Sequence, residues 1–121
     1  MSAETAKSFE TIPNPHPNND YVVTIAAPEF TCLCPVTGHP DFATITVEYA
    51  PGERIVELRS FKLYLQSFRD EGHFHEDVAN RILNDLVGAT APRRMTVTAD
   101  YTVRGGIHTV VKATYVRPDV A

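Results

Sequence analysis

Both cysteines of the chain, Cys32 and Cys34, lie in one short stretch, FTCLCPVTGHPDF (Phe30–Phe42), together with Pro35, Gly38, His39, Pro40 and Asp41. A free thiol is only a few per cent thiolate at neutral pH, yet it is the strongest nucleophile among side chains. In an extended approach Cys32 and Cys34 point the same way, with Leu33 opposed. Pro35 and Pro40 then restrict the backbone, so Cys34 stands at a rigid corner. Asp41 follows at the far end of PVTGHP, where the loop can turn back towards the sulfur. A carboxylic acid placed there could deliver a proton as the thiolate attacks an electrophile. The plainer alternative makes Cys34 a small packing residue and Asp41 a turn residue. The residues alone leave both open.

Metal binding is the competing chemistry. Cys32-x-Cys34 and His73-x-His75 could supply four ligands, with His39 a further local donor, and thiolate with imidazole suits zinc. The spacing argues against it, because common structural sites place at least two residues between paired cysteines and here there is one. No metal is therefore expected.

Two further groups could bind a ligand. Arg59, Lys62, Gln66 and Arg69 recur at helical spacing and form a stripe able to hold phosphates, or simply a solvated face. In GHFHED (Gly72–Asp77), Glu76 and Asp77 suit a first helical turn, where acids complement the helix dipole. A carboxylate such as Glu76 can also take two parallel hydrogen bonds from a guanine-like ring edge, with Phe74 stacking on the ring. No glycine-rich dinucleotide fingerprint is present.

The elements that must position these groups follow from periodicity. Met1–Asp20 is polar and rich in Pro and Asn, which predicts a flexible arm or one ordered against a neighbour. Tyr21–Ala26 reads as a strand, and Phe42–Tyr49 as a second, with Ile45, Val47 and Tyr49 on one side. Leu58, Phe61, Leu65 and Phe68 define the apolar face of a helix over 55–69. A second helix is expected from His73 to Leu86, stopped at Gly88. Met95–Arg104 and Ile107–Val116 alternate again around a Gly105-Gly106 turn. The order ββααββ predicts one α+β domain over 21–121, a sheet with two helices on one face.

Composition narrows the class. A chain of 121 residues with 43% hydrophobic content supports one core. A domain of this size is usually too small to enclose a complex site alone, so a site shared between subunits is expected. With 15 acidic against 11 basic residues the net charge is −4, which disfavours general nucleic-acid binding. No apolar run approaches a membrane span or a signal core, and two cysteines give no disulfide scaffold, so a cytoplasmic protein with reduced thiols is expected.

Taken together, CPVTGHPDF followed by ELRSFKLYLQSFRDEGHFHED resembles the NADPH-dependent 7-cyano-7-deazaguanine reductases, the QueF family of nitrile reductases in tRNA queuosine biosynthesis. The resemblance runs from Phe30 to Asp77 and includes the Arg104–Gly106 turn. The family pattern Glu, variable, Lys, small, hydrophobic, Lys, Leu, aromatic reads here Glu57 to Tyr64, with Arg59 in place of the first Lys. The resemblance implies the tunnelling fold and a homo-oligomer of two stacked pentameric rings. It implies that Cys34 attacks the nitrile to give a thioimide, that Asp41 protonates the nitrogen, and that His75 assists proton movement. Two NADPH per turnover then carry the nitrile to the primary amine, 7-aminomethyl-7-deazaguanine. Glu76, Phe74 and Glu57 fall on the substrate side; Arg59, Ser60, Lys62 and Arg104 fall on the cofactor side. The alternatives are a zinc-dependent purine hydrolase similar to GTP cyclohydrolase I, and a non-catalytic module that binds a purine-like ligand.

Overall fold

The structure, a computed structural model, describes residues 8–119. In chain order the elements are β1 (Thr11–Pro13), β2 (Val23–Leu33), β3 (Pro40–Ala50), β4 (Arg54–Val56), α1 (Leu58–Gln66), α2 (His75–Thr90), β5 (Arg94–Tyr101) and β6 (Val110–Val116). Four strands form an antiparallel sheet in the order β2-β3-β5-β6, and β1 pairs with β4 as a separate ribbon. The register Ile45↔Ala99, Val47↔Val97 and Tyr49↔Met95 puts every second residue of β3 and β5 on one apolar face. Both helices cover that face: Phe61, Tyr64 and Leu65 of α1 and Val78, Ala79, Ile82, Leu83 and Leu86 of α2 are buried. The opposite face carries Thr44, Thr46, Thr96 and Thr98, all half-buried. The Tyr64 hydroxyl donates to Asp85 Oδ2 at 2.6 Å, which ties one helix to the other.

Several boundaries differ from the periodicity reading, each for a local reason. The first strand runs on to Leu33, so Cys32 is a strand residue; an irregularity between Ala27 and Phe30, at Pro28, had masked the alternation. Arg54–Val56 is a strand rather than the start of the first helix, because it pairs with Thr11–Pro13. Helix α1 therefore begins at Leu58, which is 59% exposed, and Tyr64 takes the inward place expected of it. Gly88 does not stop α2. The helix continues to Thr90 and ends at Ala91 in the left-handed conformation (φ 46°), with Pro92 beyond. Gly52 allows that ending, since a Cβ there would lie 2.7 Å from the Ala91 carbonyl oxygen.

The expected arm divides. Residues 8–20 include β1, and Arg93 pairs with Asp20; residues 1–7 of the expected arm lie outside the described residues.

Candidate functional site

The cysteine loop closes on itself. Cys34 N–H donates to the His39 carbonyl and Gly38 N–H to the Cys34 carbonyl, each at 2.8 Å, with Gly38 at φ 75°. Cys34 is thus held at the end of a tight hairpin between β2 and β3. Hydrogen bonds from Thr37, from Arg104 and from the backbone at Val36 favour the anionic sulfur and lower its pKa to about 6. Cys32, fully buried, behaves oppositely: loss of solvation, with Asp41 nearby, pushes its thiol up to about 11.

Asp41 lies opposite Cys32 in the β2–β3 register and is 5% exposed. A carboxylate at that depth requires partners. Arg104 Nη1 forms an ion pair with Oδ1 at 2.6 Å, and His75 Nε2 lies 3.3 Å from Oδ2. Arg104 reaches the site because the β5–β6 connection folds back over it. Gly105 and Gly106 have positive φ (62° and 78°), and Arg104 and Ile107 exchange both backbone hydrogen bonds across the turn. The His75 ring lies flat on Tyr101, centroids 3.7 Å apart and planes 9° from parallel.

The start of α2 is fixed to the cysteine hairpin by a short bridge. Leu33 N–H donates to the Glu71 carbonyl at 2.9 Å and His73 N–H to the Leu33 carbonyl at 3.0 Å. Gly72 passes so close to Pro35 that a Cβ would meet its Cα at 3.3 Å. His73, 9% exposed, places Nδ1 2.7 Å from Asp77 and Nε2 2.9 Å from Glu71, and its ring packs on Phe68. Both ring nitrogens are therefore engaged. The donors of the zinc alternative are dispersed: Cys32 is buried, His73 is engaged, and His39 is exposed on the loop. Among the described residues no group of three or more His, Cys, Asp or Glu side chains is set to hold a metal. His73→Ala should lower stability by about 1–3 kcal/mol, the usual cost of removing one partner of a buried polar pair. Urea unfolding monitored by circular dichroism measures it as a lower midpoint.

Four of the residues singled out in the sequence therefore meet: Cys34, Asp41, His75 and Arg104. Phe74 and Glu76 flank them at the start of α2, both exposed. Glu57, Arg59, Ser60 and Lys62 lie elsewhere, at and along α1. Glu57 is the helix cap, its two carboxylate oxygens accepting from Arg59 N–H (2.9 Å) and Ser60 N–H (2.8 Å). The Ser60 hydroxyl accepts from Glu10 N–H at 2.8 Å and donates to the Glu57 carbonyl at 2.9 Å. Lys62, Gln66 and Arg69 rim a groove of about 800 Å³ floored by Phe30, Phe61 and Leu65. Arg59 is exposed outside it. Sequence reasoning missed Tyr101 as a site residue. Its only signal was an aromatic hydroxyl on an otherwise aliphatic strand face.

Comparison with known proteins identifies the family. The family described as QueF-like protein matches residues 40–119. The NADPH-dependent 7-cyano-7-deazaguanine reductase of Thermomicrobium roseum is 59% identical over 97% of this chain and 91% of that protein. The enzyme of the same name from Alkalilimnicola ehrlichii is 58% identical over 98% and 92%, and that from Anaeromyxobacter sp. is 59% identical over 93% and 93%. The crystal structure of the archaeosine synthase QueF-Like in the apo form superposes with a TM-score of 0.74 at 24% identity, over 80% of this chain and 95% of that one. That likeness concerns the fold alone. The fold is the tunnelling fold that the resemblance implied, with the α+β layout expected from the order of elements.

Proposed function

Because the chain belongs to the QueF-like protein family, we propose that it is an NADPH-dependent oxidoreductase that reduces the nitrile of 7-cyano-7-deazaguanine to the primary amine, 7-aminomethyl-7-deazaguanine. The observation that supports this most is the Cys34 sulfur, held anionic by Thr37 and Arg104, with the same Arg104 bonded to the buried Asp41. A nitrile is a poor hydride acceptor, and addition of sulfur to its carbon gives a more reactive C=N. Cys34 forms that bond and becomes a thioimide. Negative charge grows on nitrogen as the bond forms, and Asp41 supplies the proton, with His75 as its neighbour in the proton path. Glu76 accepts the two hydrogen bonds of the deazaguanine edge and Phe74 stacks on the ring, both from exposed positions at the start of α2. Glu57 stays on the substrate side of this reading as the residue that sets the first turn of α1.

The α1 groove fits the cofactor by its donor chemistry: an apolar floor for flat rings and cationic side chains for phosphates. Lys62 and Arg59 would hold the phosphates, joined by Arg104 from the hairpin. Ser60 contributes by ordering the helix start, since its hydroxyl is engaged with Glu10 and Glu57. Bound NADPH supplies hydride, twice per turnover.

The substrate is a small purine-like base, not a nucleic acid or a membrane component, and the setting is cytoplasmic. No described helix is long and apolar enough to cross a membrane. Among the described residues β2, beyond its bridge at Leu33, and β6 are sheet edges with no further strand beside them, and exposed Phe42, Val103, Val110 and Val116 lie near them or on the hairpin. Such edges favour closure against further copies. The assembly in this reading is a decamer of two pentameric rings, which sedimentation of the purified protein tests.

The decisive assay is incubation with 7-cyano-7-deazaguanine and NADPH. The expected result is the amine by mass spectrometry, with two NADPH consumed per amine formed; NADPH consumption without amine would overturn the proposal. The sulfur also gives a pH test. Thiolate grows as pH rises through the pKa, so alkylation of Cys34 by iodoacetamide should reach half its plateau rate near pH 6. Arg104→Met removes one of the bonds favouring the anion and should move that midpoint upward.

A further inference from the structure

We propose that Tyr101 is a positioning residue for the reaction, whose ring face holds the His75 imidazole with Nε2 directed at Asp41. The inference rests on the reading of Cys34, Asp41 and His75 given above and deepens it. His75 is the first residue of α2 and its side chain is 25% exposed, so packing on its own helix does little to fix the ring. What fixes it comes from β5. Tyr101 is 2% exposed, ends the inward row Met95, Val97, Ala99, Tyr101, and meets the imidazole face to face at 3.7 Å and 9°. Asp41 then takes the imidazole edge at 3.3 Å. One contact sets the plane of the ring and the other its rotation within that plane.

The charge balance around His75 makes that placement consequential. Facing the site are Asp41 from β3 and Arg104 from the hairpin, with Cys32 behind on β2 and Glu76 and Asp77 on α2 itself. Removing the aromatic face frees the ring to rotate away from Asp41.

A purely packing role would be met by any residue of similar volume. Tyr101 is a costly choice for that role, because its hydroxyl is buried without a hydrogen-bond partner among the described residues. Burial and the surrounding acidic groups push its pKa upward, so the phenol stays neutral.

Tyr101→Phe keeps the ring and Tyr101→Leu removes it. Both would be assayed for kcat and KM, with urea unfolding as the control for folding. Tyr101→Phe is expected within about twofold of wild type. Tyr101→Leu is expected to lose about ten- to a hundredfold in kcat with KM nearly unchanged. A folded Leu variant with wild-type kcat overturns the proposal. So does a Phe variant as impaired as Leu, which would assign the role to the hydroxyl. Should Leu fail to fold, Tyr101→Met replaces it with the same expectations. The wild-type protein offers an independent check: the His75 ring protons should resonate upfield in the NMR spectrum, and unshifted resonances overturn the stack. Covalent capture of the nitrile by the wild type tests the underlying reading separately, so failure of one is distinguishable from failure of the other.

Discussion

Mixed with 7-cyano-7-deazaguanine in the absence of NADPH, the protein is expected to gain the mass of one nitrile molecule per chain; Cys34→Ala should gain none. Adding NADPH to the wild-type adduct should discharge it. In steady state, Cys34→Ala should fall by about 10⁴-fold or more, the scale of removing a covalent nucleophile. The size of this effect does not come from the lowered pKa alone. Moving a thiol from its usual ~8.5 to about 6 raises the thiolate fraction at pH 7 about thirtyfold. Intrinsic nucleophilicity falls at the same time, by about tenfold for a Brønsted coefficient near 0.4. The net gain is about threefold, too small to explain catalysis. Thr37 and Arg104 therefore matter more for where they hold the sulfur than for how much of it they ionise. If folded wild-type protein forms no adduct under these conditions, the thioimide route is wrong and Cys34 reverts to a loop residue.

That weighting explains what the sequence could show. The meeting of Cys34 and Asp41 was legible because a short loop confines both: six residues separate them, and two prolines and a glycine leave the chain little choice of path. The helix faces were legible because burial follows the 3.6-residue period, as at Val78, Ile82 and Leu86. Pairing between distant segments was not. Nothing local marks Arg54–Val56 as the partner of Thr11–Pro13, so the first helix was drawn too early. The pairing of Arg104 with Asp41 was not legible either, because it depends on the β5–β6 hairpin folding over the cysteine loop. Tyr101 read as core for the same reason. Its alternation is that of any inward strand residue, and only α2 docking onto Leu33 brings His75 above it. Glu57 shows the converse. A motif position drew attention to its carboxylate, which the local backbone uses to cap α1.

With the sulfur's ionisation worth so little, the acid must carry much of the rate, and Asp41→Asn is the substitution that isolates it. Asparagine keeps the shape of the side chain, and its carbonyl can still accept from Arg104, whose own side chain is 46% exposed and can turn to water. Folding should therefore change little, while kcat falls by about 10²- to 10⁴-fold, the range for loss of a positioned proton donor. Adduct formation in the absence of NADPH should slow by a similar factor, because sulfur addition and nitrogen protonation belong to one step. Binding of the substrate ring, assigned to Glu76 and Phe74, should survive. The resting contacts add an order of events. Oδ1 of Asp41 is occupied by the ion pair with Arg104 at 2.6 Å, whereas Oδ2 faces His75 Nε2 at 3.3 Å. The proton for the nitrile must then arrive on the His75 side, and Arg104→Met should harm the acid step less than Asp41→Asn does. Single-turnover adduct rates for the two variants measure the difference. Equal losses would place Arg104 in the proton path, and a near-normal Asp41→Asn would remove the acid role from Asp41 altogether.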